Sequence, residues 1–221
     1  MKYQQWNIAQ GSQQARRAME RQGVPALVAA TLCARGITDL EEARSLLSSG
    51  AEKLCDPFLM KDMDLATARI GRALRNGEKI AVYGDYDVDG ITSTCLLTHY
   101  LRGQGGDVCY YIPDRLSEGY GVNREAVERL AGQGVRLIIT VDCGITAVEE
   151  VVYAGSLGVD MIITDHHECK EELPAAVAVV DPHRKDCAYP FKDLAGVGVA
   201  LKLVMALGGE KRAKALFQEY A

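Results

Sequence analysis

Five short runs rich in Val and Ile constrain this chain more than any other feature. They lie at 79–83, 108–112, 135–141, 159–164 and 176–180, each continuous rather than alternating and each bounded by turn residues. A strand with one wet face alternates apolar and polar side chains, whereas a strand covered on both faces reads as an unbroken apolar run. Stretches with helical spacing separate them at 91–102, 123–132 and 146–156, and another at 194–207 follows the last. This alternation predicts an α/β fold. A mainly parallel sheet of about five strands should carry helices on both faces, joined by right-handed crossovers.

The sequence before the alternation holds no strand-like run. Ala15–Arg21, 24–34 and 65–76 read as helices, and Pro25 is tolerable in a first turn. Thr38 and Glu41 have the spacing of a capping box, as do Thr146 and Glu149 further on. The expected organisation is a helical segment over 1–65 and an α/β domain over 66–221.

With 221 residues, 48% of them hydrophobic and 25% charged, the chain can cover such a sheet and is not a disordered polymer. A net charge of -5 argues against a basic protein that coats duplexes, but not against an enzyme whose cations supply local positive charge. The seven cysteines are scattered and form no C-x-x-C pair, so neither a disulfide framework nor a zinc ribbon is indicated. Reduced thiols and a cytoplasmic location are expected. No apolar run reaches 18 residues, which argues against a membrane span.

Every strand run ends at or just before an aspartate: Asp85, Asp114, Asp142, Asp165 and Asp181. In an open parallel sheet these ends form one edge, where such folds bind ligands. One or two aspartates there would be turn formers or helix caps. Here Asp87 and Asp89 follow Asp85 at alternate positions, which on an extended segment project to one side, and His166 and His167 follow Asp165. Crowded carboxylates resist ionising unless a cation compensates them. Mixed carboxylate and imidazole donors suit Mn²⁺ or Mg²⁺ rather than structural zinc. Two cations about 3.5–4 Å apart, sharing one aspartate, make a clamp for in-line attack on phosphorus. Adjacent side chains diverge, so one histidine is expected on metal and the other towards substrate. Tyr110, Tyr111 and Tyr120 could stack on bases, although core filling explains the first two equally well. Gly196 and Gly198 would let a phosphate approach a helix start or let a helix pack closely on the sheet. Cys143, with no base beside it, reads as filler.

The segments GDYDVDGITS, IPDRLSEGYG, TVDCGIT, TDHH and DPHRKDCAYPFKDLAGVGVALKL, in this order, resemble the DHH phosphoesterase superfamily and, within it, the RecJ family. The resemblance spans residues from about 50 to 208. It implies a metal-dependent 5′-to-3′ exonuclease of single-stranded DNA, using Mn²⁺ or Mg²⁺ and serving repair and recombination. A single-strand-binding protein and a recombination helicase are the implied partners. Asp85 and Asp87 would ligate one metal and Asp89 the second. Asp142 would bridge them and His166 would complete part of the second metal's own shell, with Asp165 orienting that histidine from behind. His167 and Arg115 would meet the scissile phosphate, and Ser117 and Tyr120 would lie against the substrate. Asp114 and Asp181 are favoured as structural. A further ligand motif of the family is expected just past Ala221, so the α/β domain is expected to be incomplete at its C-terminal end. These residues alone should hold the first metal better than the second and cleave weakly or not at all. Other members of the superfamily, which act on short oligonucleotides, cyclic dinucleotides or pyrophosphate, open their first motif with H-x-x-x-D-x-D, where this chain has Tyr83. A metal-less scaffold is the remaining alternative, against which the full aspartate set stands.

Overall fold

The structure is a computed structural model that describes residues 9, 11–47 and 54–220, with side chains as far as 216. The chain divides into two compact units at Leu54/Cys55. The first unit holds α1 (Gln13–Arg21), α2 (Ala26–Ala34) and α3 (Leu40–Leu47) around Met19, Ala29, Cys33 and Ala43. Asp39, rather than Thr38, caps α3: its Oδ1 accepts from Glu42 N at 2.9 Å. The acceptor lies one residue later than the expected box, because an aspartate caps at least as well as a threonine.

The second unit opens with a 3-10 turn, Pro57–Leu59, and α4 (Met63–Asn76). Then follow β1 (Lys79–Tyr83), α5 (Val88–Gly103), β2 (Val108–Tyr111), α6 (Arg124–Gly132), β3 (Val135–Val141), α7 (Val148–Ser156), β4 (Asp160–Thr164), β5 (Ala178–Val180), α8 (Gly196–Gly208) and α9 (Glu210–Tyr220). The sheet has the order β2-β1-β3-β4-β5 and every pairing is parallel. It is covered on both faces, as the unbroken apolar runs require. Ile80, Val82, Leu137 and Ile139 pack with α4, α5, α8 and α9, while Ala81, Tyr83, Ile138 and Ile163 pack with α6 and α7. Among the described residues no helix is long and apolar enough to cross a membrane.

Two local expectations fail. Thr146 and Glu149 form no capping box, since α7 starts at Val148 and its cap residue, Ala147, has no side-chain bond. More consequentially, α5 starts at Val88 rather than 91, so only Asp85 follows directly from β1. Asp87 is the cap residue, its Oδ1 accepting from Asp89 N at 2.9 Å and Gly90 N at 3.0 Å, and Asp89 sits in the first turn. The early start needs Gly90: a Cβ there would lie 2.4 Å from the Asp85 carbonyl oxygen.

Strand order fixes where a crevice opens. The chain leaves β1 through α5 on one face, and reaches β3 through α6 on the other. The connections therefore diverge beyond the C-terminal ends of β1 and β3, the switch point where open α/β sheets take ligands. Asp85 and Asp142 stand at those two ends.

Candidate metal centre

Asp85 and Asp142 are 4% and 2% exposed, and each has a buried oxygen, Oδ1, without a hydrogen-bond partner. Burial pushes the Asp85 carboxyl above its usual range, with Asp87 adding to the effect. Burial raises Asp142 to about 8, helped by the charges of Asp89 and Asp87. Asp142 also has a φ of 61°, a region sparsely used by residues other than glycine and associated with functional sites. Two acidic oxygens buried without partners are costly. A divalent cation is the group that relieves both.

Two clusters have ligand atoms within 4.8 Å of one another, Asp85–Asp87–Asp142 and Asp142–His166–His167. They share Asp142. His166 Nε2 lies 3.0 Å from Asp142 Oδ1, an approach without hydrogen-bond alignment, and 3.6 Å from Asp89 Oδ2. Asp89 stands beside the second cluster rather than in it. Its carboxylate is anchored by the start of α8, accepting from Gly196 N at 2.7 Å and Val197 N at 2.8 Å. A helix N-terminus favours negative charge there. The donors, carboxylate oxygens with imidazole nitrogens and no thiolate, fit Mn²⁺ or Mg²⁺.

The two histidines differ from expectation. Asp165 orients His167, not His166: His167 Nδ1 donates to Asp165 Oδ1 at 2.7 Å. His166 gives Asp165 only its backbone N–H, at 2.7 Å, because its ring turns towards Asp142. Burial pushes the Asp165 carboxyl up, but bonds from His167, Ile145 N and His166 N outweigh it and hold the group below its usual range. The same hydrogen bond raises His167 to about 9.

Around this edge the remaining residues take separate roles. Tyr120 sets its hydroxyl 3.4 Å from both ring nitrogens of His167. Arg115 does not reach the histidines in any bond described; its guanidinium lies 5.3 Å from the centroid of Tyr86, between Asp85 and Asp87 in the chain. Asp114 and Ser117 form a closed turn, with Asp114 Oδ1 accepting from Leu116 N, Ser117 N and Ser117 Oγ. Those bonds hold the exposed Asp114 carboxyl below its usual range. Asp181 is fully buried, binds His183 N through Oδ1 and is raised to about 7 by burial. Tyr110 is 59% exposed, Tyr111 bonds Glu118, and Cys143 is fully buried. The positioning role of Gly196 was not legible beforehand. A Cβ there would meet Asp142 Oδ1 at 2.5 Å, so its missing side chain makes room for the shared carboxylate.

Residues 79–221 match the model of the DHH family, N-terminal domain. The chain belongs to the DHH family. Among curated DHH relatives, the single-stranded-DNA-specific exonuclease RecJ of Bacillus subtilis is 48% identical over 206 residues, 93% of this chain and 26% of that protein. The Escherichia coli enzyme of the same name is 36% identical over 197 residues, 89% of this chain and 33% of that protein. The chain thus spans about a quarter to a third of the length of these relatives. Thermus thermophilus RecJ, solved in complex with Mn²⁺, superposes with a TM-score of 0.68 at 32% identity, covering 90% of this chain and 28% of that one. A second RecJ structure, bound to manganese, gives 0.62 at 40% identity over 67% of this chain and 37% of that one.

Proposed function

We propose that this DHH chain carries the catalytic residues of a RecJ-like exonuclease that hydrolyses single-stranded DNA from its 5′ end. The observation that carries the reading is Asp142, buried, unpartnered at Oδ1 and common to both ligand clusters. Asp85, Asp87 and Asp142 would hold one Mn²⁺ or Mg²⁺, and Asp142 and His166, with Asp89 alongside, the other. Bound there, the cations supply the Lewis acidity that activates water and neutralises charge on a phosphate.

The chain's own residues would do the rest. Asp165 fixes the His167 ring and, in the metal-free chain, raises it to about 9, which favours the protonated ring. Its Nε2–H is then available to a phosphate oxygen as a charge-assisted donor. Arg115, steered by Tyr86, offers a second cation to the strand, and Tyr120 and Ser117 border it. A single-strand-binding protein and a helicase are the proposed partners, and the cytoplasm the proposed compartment.

The test is digestion of 5′-labelled single strands with Mn²⁺, beside arms with dinucleotides and pyrophosphate, for wild type and Asp142→Ala. Mn²⁺-dependent release of the labelled 5′-terminal nucleotide from the long strand, abolished by Asp142→Ala, is expected. Faster turnover of dinucleotide or pyrophosphate, or cleavage indifferent to Asp142→Ala, would sink the reading.

A further inference from the structure

The segment between β2 and α6 touches both halves of the metal centre. Near its start, Arg115 lies over Tyr86, beside the Asp85–Asp87 turn; further along, the Tyr120 ring meets the His167 ring edge-on at 5.9 Å. Between these contacts Leu116 is 95% exposed, the highest value among the large apolar side chains described. A single exposed leucine ordinarily carries no message. This one is held in place. Asp114 Oδ1 accepts from Leu116 N at 3.0 Å, from Ser117 N at 2.9 Å and from Ser117 Oγ at 2.9 Å. Asp114 O accepts from Glu118 N at 2.9 Å, and the Glu118 carboxylate takes bonds from the Tyr111 hydroxyl and Asn123 Nδ2. Both ends of the turn are tied by these bonds, and the leucine side chain stands out in solvent. Val88, at the first helical position of α5, is 76% exposed and follows Asp87 directly.

We propose that Leu116 is the surface on which a nucleobase beside the scissile phosphate packs, and that it thereby selects unpaired strands. The proposal rests on the phosphodiester reading above. Cations at this edge gather the phosphate, through His167 and Arg115, and an apolar side chain next to Arg115 meets what the phosphate carries with it. Within a duplex both faces of a base are stacked on neighbours. Only an unstacked base has a face to give the leucine, and base faces are sequence-tolerant partners.

The experiment measures anisotropy of a fluorescent oligonucleotide on the 221-residue chain in Ca²⁺, with a second oligonucleotide abasic at its terminal nucleotides. Leu116→Ala is expected to weaken the intact strand about five- to tenfold, the range for covering roughly half of a leucine's apolar surface. It should leave the abasic strand nearly unchanged, and Leu116→Phe should restore the intact one. Val152→Ala, at another exposed apolar position on α7, should change neither. Equal losses on both strands, or none, would overturn the proposal while leaving the phosphodiester reading intact. A wild type that binds no strand would remove both. A wild type that self-associates through Leu116, seen as a change in sedimentation with unchanged strand binding, would assign the leucine to a second copy and overturn it too.

Discussion

Asp142 combines a left-handed backbone, near-complete burial and a carboxyl raised to about 8. Each feature works against the stability of the metal-free fold, and each places an acceptor where two ligand clusters meet. Asp142→Asn keeps the shape and removes the buried charge. In EDTA at pH 8 the variant should be more stable by about 0.5–2 kcal/mol, read by thermal melting, while calorimetry should find its Mn²⁺ binding lost. A variant less stable and still metal-competent would contradict this account. His167 supplies a second residue-level test. Its raised pKa depends first on the hydrogen bond to Asp165, so Asp165→Asn should move its titration down from about 9 towards the ordinary histidine range near 6.5, followed by NMR of the ring protons. An unmoved titration would mean that another group holds the ring.

At the scale of elements, the strands and helices of the α/β unit were legible because an unbroken Val/Ile run has few other uses. The caps were less so. A cap depends on one side chain competing with its neighbours, and Asp39 and Ala147 took the places expected of Thr38 and Thr146. The early start of α5 was hidden for a related reason: D-V-D reads equally as extended segment or as helix cap and first turn, and tight packing of Gly90 on the Asp85 backbone decides it. The acidic edge itself was legible from five aspartates ending five strands. The role of α8 was not, because nothing local ties Gly196 to Asp142 or Asp89. That contact is tertiary, and it makes a prediction. Gly196→Ala puts a Cβ 2.5 Å from Asp142 Oδ1 in a helix start whose N–H groups also hold Asp89. Alanine suits a helix, so far-ultraviolet dichroism should be unchanged while Mn²⁺ affinity falls ~10–100-fold, the usual range for disturbing groups that orient ligands. Unchanged affinity would show that the shared carboxylate tolerates displacement.

For the whole molecule, the titrating groups at the sheet edge set how stability depends on pH. Burial raises Asp142 to about 8 and Asp181 to about 7, so the folded chain binds protons there that the unfolded chain has lost above the ordinary carboxylate range. Their contribution is fully present below about pH 4 and is lost as pH rises through 7 and 8. His167, raised to about 9, acts in the same sense at higher pH, its contribution present below the usual histidine value and lost on passing 9. Asp165 acts oppositely: held below its usual range, it contributes above that range and is lost only in stronger acid. Metal-free protein should therefore melt at progressively lower temperature from pH 5 to pH 9. Mn²⁺ should reverse the trend, because protons compete with the cation for the same oxygens and leave as pH rises. Melting curves across that range, in EDTA and in excess Mn²⁺, would separate the two behaviours. A metal-free melting temperature that does not fall between pH 5 and 8 would mean that the buried carboxyls titrate normally, and that the edge is not preloaded for a cation.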